Sequence, residues 1–244
     1  MTNPSPAGNI DVAALSRWRH ILGQAIAPSS VIPAAVADEP HALPEWGRSN
    51  SARSSALVCL DALHGLAGIT SIGPVGSGDH AILSSLPVPA VRGSEVVAAV
   101  WSAYFAASRG DEAAIAVLDQ ATAALAPTAL VATPDDNPEP WWAAELMILH
   151  PLRSHAWRHP SAASEAGIAR CIAFHLAEIQ PDHATNEPWA VHAFAATTDG
   201  HLTSETMLHA AMVQGGGHLT PAARLVVADA VAAIDFALDA AMHG

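Results

Sequence analysis

No lysine occurs anywhere in the 244 residues, so all ten basic side chains are arginines. That absence excludes a phosphate-binding loop of the GK[ST] kind, a Schiff base to a carbonyl cofactor or substrate, and a lysine general base. Positive charge is scarce as well. The formal net charge is -13, and the few arginines are scattered, so there is no basic face on which phosphates would be neutralised and nucleic acid is excluded as a partner. Cysteine is limited to Cys59 and Cys171, each inside an apolar helical pattern and neither part of a CxxC, which reads as two core thiols rather than a disulfide or a structural zinc site. No window reaches the roughly 18–20 uninterrupted apolar residues of a membrane span. The nearest, "LVVADAVAAIDFALDAAM", is broken by Asp229, Asp235 and Asp239. The amino terminus lacks a basic stretch followed by an apolar run, so a cytoplasmic protein is expected. Neither HExxH nor GxSxG occurs.

What is present points to helices. Apolar residues make up 51% of the chain but aromatics only 5%, and alanine supplies much of the difference, which suits close-packed helices better than sheets. We read one all-α domain over 1–244, with Pro-rich connectors near 26–50, 72–92 and 126–140. Helical periodicity predicts helices after Asp11, over Ala52–Ile69, Ser94–Ser108, Asp111–Leu125, Trp141–Arg158, Ser161–Ile179, Pro188–Ala196 and Ser204–Gln214, and a last one opening at Thr220-Pro221. There the threonine can cap and the proline suits the first turn. Short links at Gly110 and Pro160 favour antiparallel packing of consecutive helices.

Two helices carry polar groups where apolar ones belong. In "PWWAAELMILHPLRSHAW", Trp141, Trp142, Leu149, Leu152 and Ala156 share a face with Glu145 near its centre. A carboxylate there has to be paired, hydrogen-bonded or neutralised. Burial in general disfavours the charged form of a carboxyl, which is the condition a general acid needs. Pro151 interrupts the same helix and frees a carbonyl one turn earlier. In "SEAGIARCIAFHLAEIQ", His175 lies beside the Ile168–Ile172–Leu176–Ile179 stripe, with Glu178 three residues on. Asp182, His183, Asn186, Glu187 and Trp189 follow in a loop stiffened by Pro181 and Pro188, and His192 comes one turn into the next helix. Such a loop is both polar and stiff, and can hold groups in place for a ligand.

The stretch "RCIAFHLAEIQPDHATNEPW" resembles the repeat motif of the terpenoid-cyclase and related α/α-toroid proteins. Phe174 or His175, Leu176, Gln180 and Trp189 stand at its aromatic-aliphatic, glutamine and tryptophan positions. The resemblance covers about one hairpin and implies stacked antiparallel helical hairpins in a partial or irregular toroid, with a loop-lined cleft. In such proteins the motif is structural, the glutamine capping a helix on which the tryptophan packs. The substrates it suggests are sugars or isoprenoids.

The functional expectation is therefore a hydrolase, lyase or cyclase acting on a small organic substrate. Glu145, His175, Asp182 and His183 are the candidate acid-base groups, and Trp141, Trp142, Asn186, Trp189 and His192 the candidate substrate contacts. Two alternatives stand beside it. One is a non-catalytic scaffold or partner-binding module in which Gln180, Asn186 and Trp189 tie one hairpin to the next. The other is a metal-dependent enzyme, since among the fourteen histidines the set His175, Glu178, Asp182, His183 and His192 has the spacing to converge on a divalent ion. A divalent metal is required only by the last of these, no other cofactor is implied, and no feature specifies the oligomeric state.

Overall fold

The computed structural model describes residues 11–26, 93–130, 138–179 and 187–243, all of them helical or in short links, with no strand among the described residues. The helices are α1 (Val12–Ile26), α2 (Gly93–Ser108), α3 (Glu112–Ala123), α4 (Pro138–Arg158), α5 (Ala162–Phe174), α6 (Val191–Ala195), α7 (His201–Gln214) and α8 (Pro221–His243). The all-α expectation holds and the boundaries fall close to the expected ones. The helix expected over Ala52–Ile69, Cys59 within it, and the connectors near 26–50 and 72–92 lie outside the described residues. None of the described helices is long and apolar enough to cross a membrane.

Local chemistry sets the ends. Asp111 accepts from the amides of Ala113 and Ala114 at 3.0 and 3.1 Å to start α3, Ser161 does the same for α5 from Ser164 at 3.0 Å, and Thr220 caps α8 through Ala223 at 3.1 Å. Each satisfies a first-turn donor that the helix itself cannot. Gly110, at φ 85°, makes the reversal between α2 and α3 without the cost a side chain would incur there. Gly167 serves packing instead: a Cβ at this position would lie 1.9 Å from the Thr122 carbonyl oxygen, so only glycine lets α5 approach α3 this closely.

The centre of the molecule is α4. It packs against α2, α3, α5, α6 and α8, and every residue from 143 to 157 is buried. Pro151 behaves as its chemistry requires. With no N–H of its own it leaves the Met147 carbonyl without an intrahelical donor, and the indole N–H of Trp101 on α2 fills the gap at 2.8 Å. A second apolar layer forms where α1 lies along α8, burying Leu15, Trp18 and Leu22 against Val227, Ala230, Ile234 and Ala237. Arg19 grips Asp235 through two contacts of 2.8 and 3.3 Å, and Arg224 donates to the last α1 carbonyl, Ile26, at 3.0 Å.

α5 does not run on to Ile179 as one α-helix. From His175 to Ile179 the chain widens into a π-helical turn, and the side chain of His175 turns back to donate from Nδ1 to the Cys171 carbonyl at 2.7 Å. Such single π turns recur where a side chain must be re-aimed.

Candidate functional site

α4 carries a polar stripe through its buried centre. His150, Ser154 and Arg158 follow one another at intervals of four and so share one face of the helix. They meet Asp229 from the middle of α8. His150 donates from Nε2 to Oδ2 of Asp229 at 3.1 Å, while Ser154 Oγ lies 3.4 Å from the same oxygen. The phenol of Tyr104, the single tyrosine of the chain, donates to both carboxylate oxygens at 3.0 and 3.1 Å. Arg158 in turn donates to the Tyr104 oxygen and stands 3.8 Å from Oδ1 of Asp229. Its side chain is 20% exposed, so this guanidinium is where the group meets solvent.

The tautomer of His150 follows from its neighbours. Nδ1 accepts the amide N–H of Ala190 at 3.0 Å, so the ring proton sits on Nε2 and points at Asp229. Ala190 itself has φ 58°, the one left-handed non-glycine residue among those described. A conformation costing roughly 1–2 kcal/mol is thus held where its amide serves the polar centre. His150 is also enclosed by aromatic rings, Trp101 stacked at 5.6 Å and Trp189 edge-on at 6.0 Å.

His192 on α6 completes the group. Its Nε2 lies 3.0 Å from Ser154 Oγ, and its ring packs edge-on against His150 at 4.5 Å and tilted against Trp157 at 5.5 Å. Ser154 has one proton and two acceptors within reach. When His192 donates from Nε2, the serine donates to Asp229 and an unbroken chain of donors runs His192 to Ser154 to Asp229; the reverse orientation keeps the His192 proton on Nδ1. In either case Nδ1, fully buried, makes no well-angled hydrogen bond among the described residues, although the His150 backbone lies close enough to the ring to favour its charged form.

The electrostatics follow from burial and partners. Burial works to raise the Asp229 carboxyl, but donation from His150 and the charge of Arg158 outweigh it and hold the group below its ordinary value. Burial and the neighbouring Asp229 push the Tyr104 phenol up, so it stays a donor. Burial, reinforced by His150, Arg153 and Arg158, pushes His192 well below the usual imidazole range. Burial alone pushes Glu187, close by in sequence, up to about 8.

A second buried polar pair lies elsewhere in the core. Glu145 of α4 and His175 at the π turn, both fully buried, approach at 3.1 Å. The contact is an ion pair without good hydrogen-bond alignment, since His175 Nε2 and Glu145 Oε2 each lack a well-angled bond to the other. The other Glu145 oxygen accepts the Leu130 amide at 2.7 Å. Burial works against a charged His175, but Cys171 and then Glu145 outweigh it and hold this imidazole well above its ordinary value.

Thus two expected acid-base residues, Glu145 and His175, stand together although thirty positions separate them, whereas the expected contact His192 belongs to the Asp229 group. Trp189 is buried against Trp101 at 5.9 Å. Trp141 and Trp142, half-buried, sit 6.4 Å apart in the first half of α4. Asp182, His183, Asn186 and Gln180 lie outside the described residues. Of the proposed metal ligands that are described, Glu178 is exposed, His175 faces Glu145 and Cys171, and His192 faces Ser154. Among the described residues there is no group of three or more His, Cys, Asp or Glu side chains that could hold a metal ion.

Tyr104, His150, Ser154, Arg158 and Asp229 escaped the sequence reading. Two signals for them were present: the four-residue spacing of His150, Ser154 and Arg158, and a carboxylate interrupting the apolar run of α8. No family model, no curated protein and no solved structure matches this chain.

Proposed function

We propose that the protein is a cytoplasmic enzyme that performs acid-base chemistry on a small organic substrate, sugar- or isoprenoid-like, at the polar centre of its helices. The observation that carries this reading is the Asp229 group: six polar side chains from α2, α4, α6 and α8 converge in an apolar core, and Nδ1 of the buried His192 makes no well-angled hydrogen bond among the described residues. Polar groups so placed are costly. Strongly perturbed titratable groups concentrate where chemistry is done. In this reading His192, kept uncharged, is the proton acceptor, Ser154 relays between it and Asp229, and Tyr104 with Arg158 supplies positive potential. Trp101 and Trp189 form the walls. A hydrolase, lyase or cyclase would use the same groups. The partial α/α toroid belongs to the same proposal, supported by the packing of α2 on α3 across a short link.

The test is a thermal-shift screen of the full chain against sugars and isoprenoid-like compounds, repeated on Ser154→Ala and His192→Gln. A compound that raises the melting temperature of the parent and loses that effect in both folded variants supports the reading. Shifts that persist unchanged in both variants place the ligand elsewhere and end it.

A second reading, a non-catalytic scaffold, is favoured by one specific observation. Glu145 and His175 compensate each other's charge and tie in the backbone at Leu130 and Cys171, which is what a purely structural pair would do.

A further inference from the structure

We propose that His150 and the Trp189–Ala190 peptide form a proton-operated switch. A neutral His150 holds this peptide with its N–H towards the ring, and a proton on Nδ1 turns the peptide over so that the Trp189 carbonyl faces the ring instead. The switch sits at the entry to α6 and does not depend on the enzymatic reading.

The backbone supplies the first support. Val191 donates its amide to the Pro188 carbonyl at 3.3 Å, which closes a four-residue turn with Trp189 and Ala190 at its centre. Ala190, at φ 58° and ψ 16°, is left-handed, whereas Trp189 is not; that combination makes a type II turn. Type II calls for glycine or asparagine where this chain has alanine. Alanine suits type I, in which the same position has φ of about −90°. The two turns differ by reversal of the central peptide and share the closing hydrogen bond. This turn therefore stands in the form its sequence disfavours, and one interaction selects that form: the central N–H, that of Ala190, donates to His150 Nδ1 at 3.0 Å. A left-handed alanine held in this way is strain kept in place by its surroundings.

Protonation inverts the interaction. With a proton on it, Nδ1 is a donor and no longer accepts from Ala190. Reversing the peptide restores the bond with the roles exchanged, Nδ1–H to the Trp189 carbonyl, and releases the left-handed backbone in the same movement. His150 keeps its Nε2 bond to Asp229 of α8 at 3.1 Å, so the new positive charge faces a carboxylate. The neighbouring imidazole on α6, His192, lies 4.5 Å away between ring centroids. Burial, with His150, Arg153 and Arg158, holds it well below the usual imidazole range, so it does not compete for the proton. Tyr104 of α2 donates to the same carboxylate, and Ser154 and Arg158 of α4 stand 3.4 and 3.8 Å from it. Trp101 and Trp189 flank the ring with uncharged surfaces. Because Ala190 immediately precedes α6, a proton taken up at the polar centre is passed to the backbone two residues from His192.

The experiment is NMR of the isotope-labelled full chain, taken from about pH 8 to about pH 5. At the alkaline end a strong nuclear Overhauser contact between Trp189 Hα and the Ala190 amide proton marks type II. As the His150 ring takes up its proton, that contact should fade with the same midpoint, replaced by one between the Trp189 and Ala190 amide protons, the mark of type I. Ala190→Gly removes the penalty on the left-handed form, so the turnover should move to lower pH by roughly one pH unit, in a variant whose melts show normal folding. His150→Asn, with a side-chain oxygen that accepts but takes up no proton in this range, should hold type II throughout. A contact pattern that stays constant while His150 titrates overturns the switch. So does a turnover that Ala190→Gly leaves at the same pH, one that persists in His150→Asn, or a chain that unfolds before His150 is protonated.

Discussion

The two buried polar groups of this protein solve the same problem by different means. At Glu145 and His175 a carboxylate meets an imidazole held well above its ordinary pKa, and the remaining hydrogen-bonding capacity goes to backbone at Leu130 and Cys171. At Asp229 the carboxylate is surrounded by donors from three other side chains and faces an arginine, while its outlying histidine is kept uncharged. The first arrangement is sealed in the core, both side chains fully buried. The second reaches solvent at Arg158, whose side chain is 20% exposed, and that difference is what makes it the better candidate for chemistry.

The largest expected effect comes from removing the charge at the centre of the second group. Asp229→Asn leaves Arg158 without its counter-charge and turns an amide N–H towards groups that are themselves donors, so a loss of about 3–5 kcal/mol is expected, read from urea denaturation. A loss below about 1 kcal/mol would mean that water, not the carboxylate, satisfies these donors.

Glu145→Gln is expected to cost less, about 1–3 kcal/mol. The amide oxygen can still accept from Leu130, and His175 can shed its proton. This variant tests whether the pair itself is structural: a structural pair loses stability on the change, whereas a catalytic Glu145 would leave stability unchanged or raised and abolish function.

The smallest effects, and the sharpest contrast, lie in the pH dependence. His192 has its pKa lowered by folding, so below about pH 6.5 the unfolded chain takes up a proton that the native state refuses. Stability should therefore fall with acid by up to about 1.4 kcal/mol per pH unit from this group. His175 has its pKa raised, so its contribution is complete below about pH 6.5 and is lost as pH rises through the native value. Glu187, pushed up to about 8, lowers stability as pH rises from about 4.3 to about 8, because there the unfolded carboxyl releases a proton that the native one keeps, so it opposes the His192 slope on the acid side and adds to the His175 loss above it. Denaturation curves from pH 5 to 9 on the parent, His192→Gln and His175→Gln should show the acid slope reduced in the first variant and the alkaline slope reduced in the second. Slopes of the same sign at both histidines would remove the contrast between the groups.

The legibility of these features varied with how local their causes are. Glu145 was readable because a carboxylate amid apolar helix neighbours must be compensated, and Pro151 because a proline always orphans the carbonyl four residues back. That Trp101 fills this gap was not readable, since nothing local links the two residues. The stripe of His150, Ser154 and Arg158 was hidden for a physical reason. α4 is buried on all sides from 143 to 157, so it has no polar solvent face against which a functional face would stand out. Asp229 registered only as an interruption of an apolar run.

The sequence by itself determined the helical class, the caps at Asp111, Ser161 and Thr220, and the exclusion of lysine chemistry, because each depends on the composition or on neighbours within a turn. Only the tertiary structure decided which polar groups meet. Glu145 finds His175 thirty residues on, and Asp229 gathers Tyr104, His150 and Ser154 across up to 125 residues of chain. Such meetings are set by how the helices pack around α4, and packing depends on the shape of the whole core.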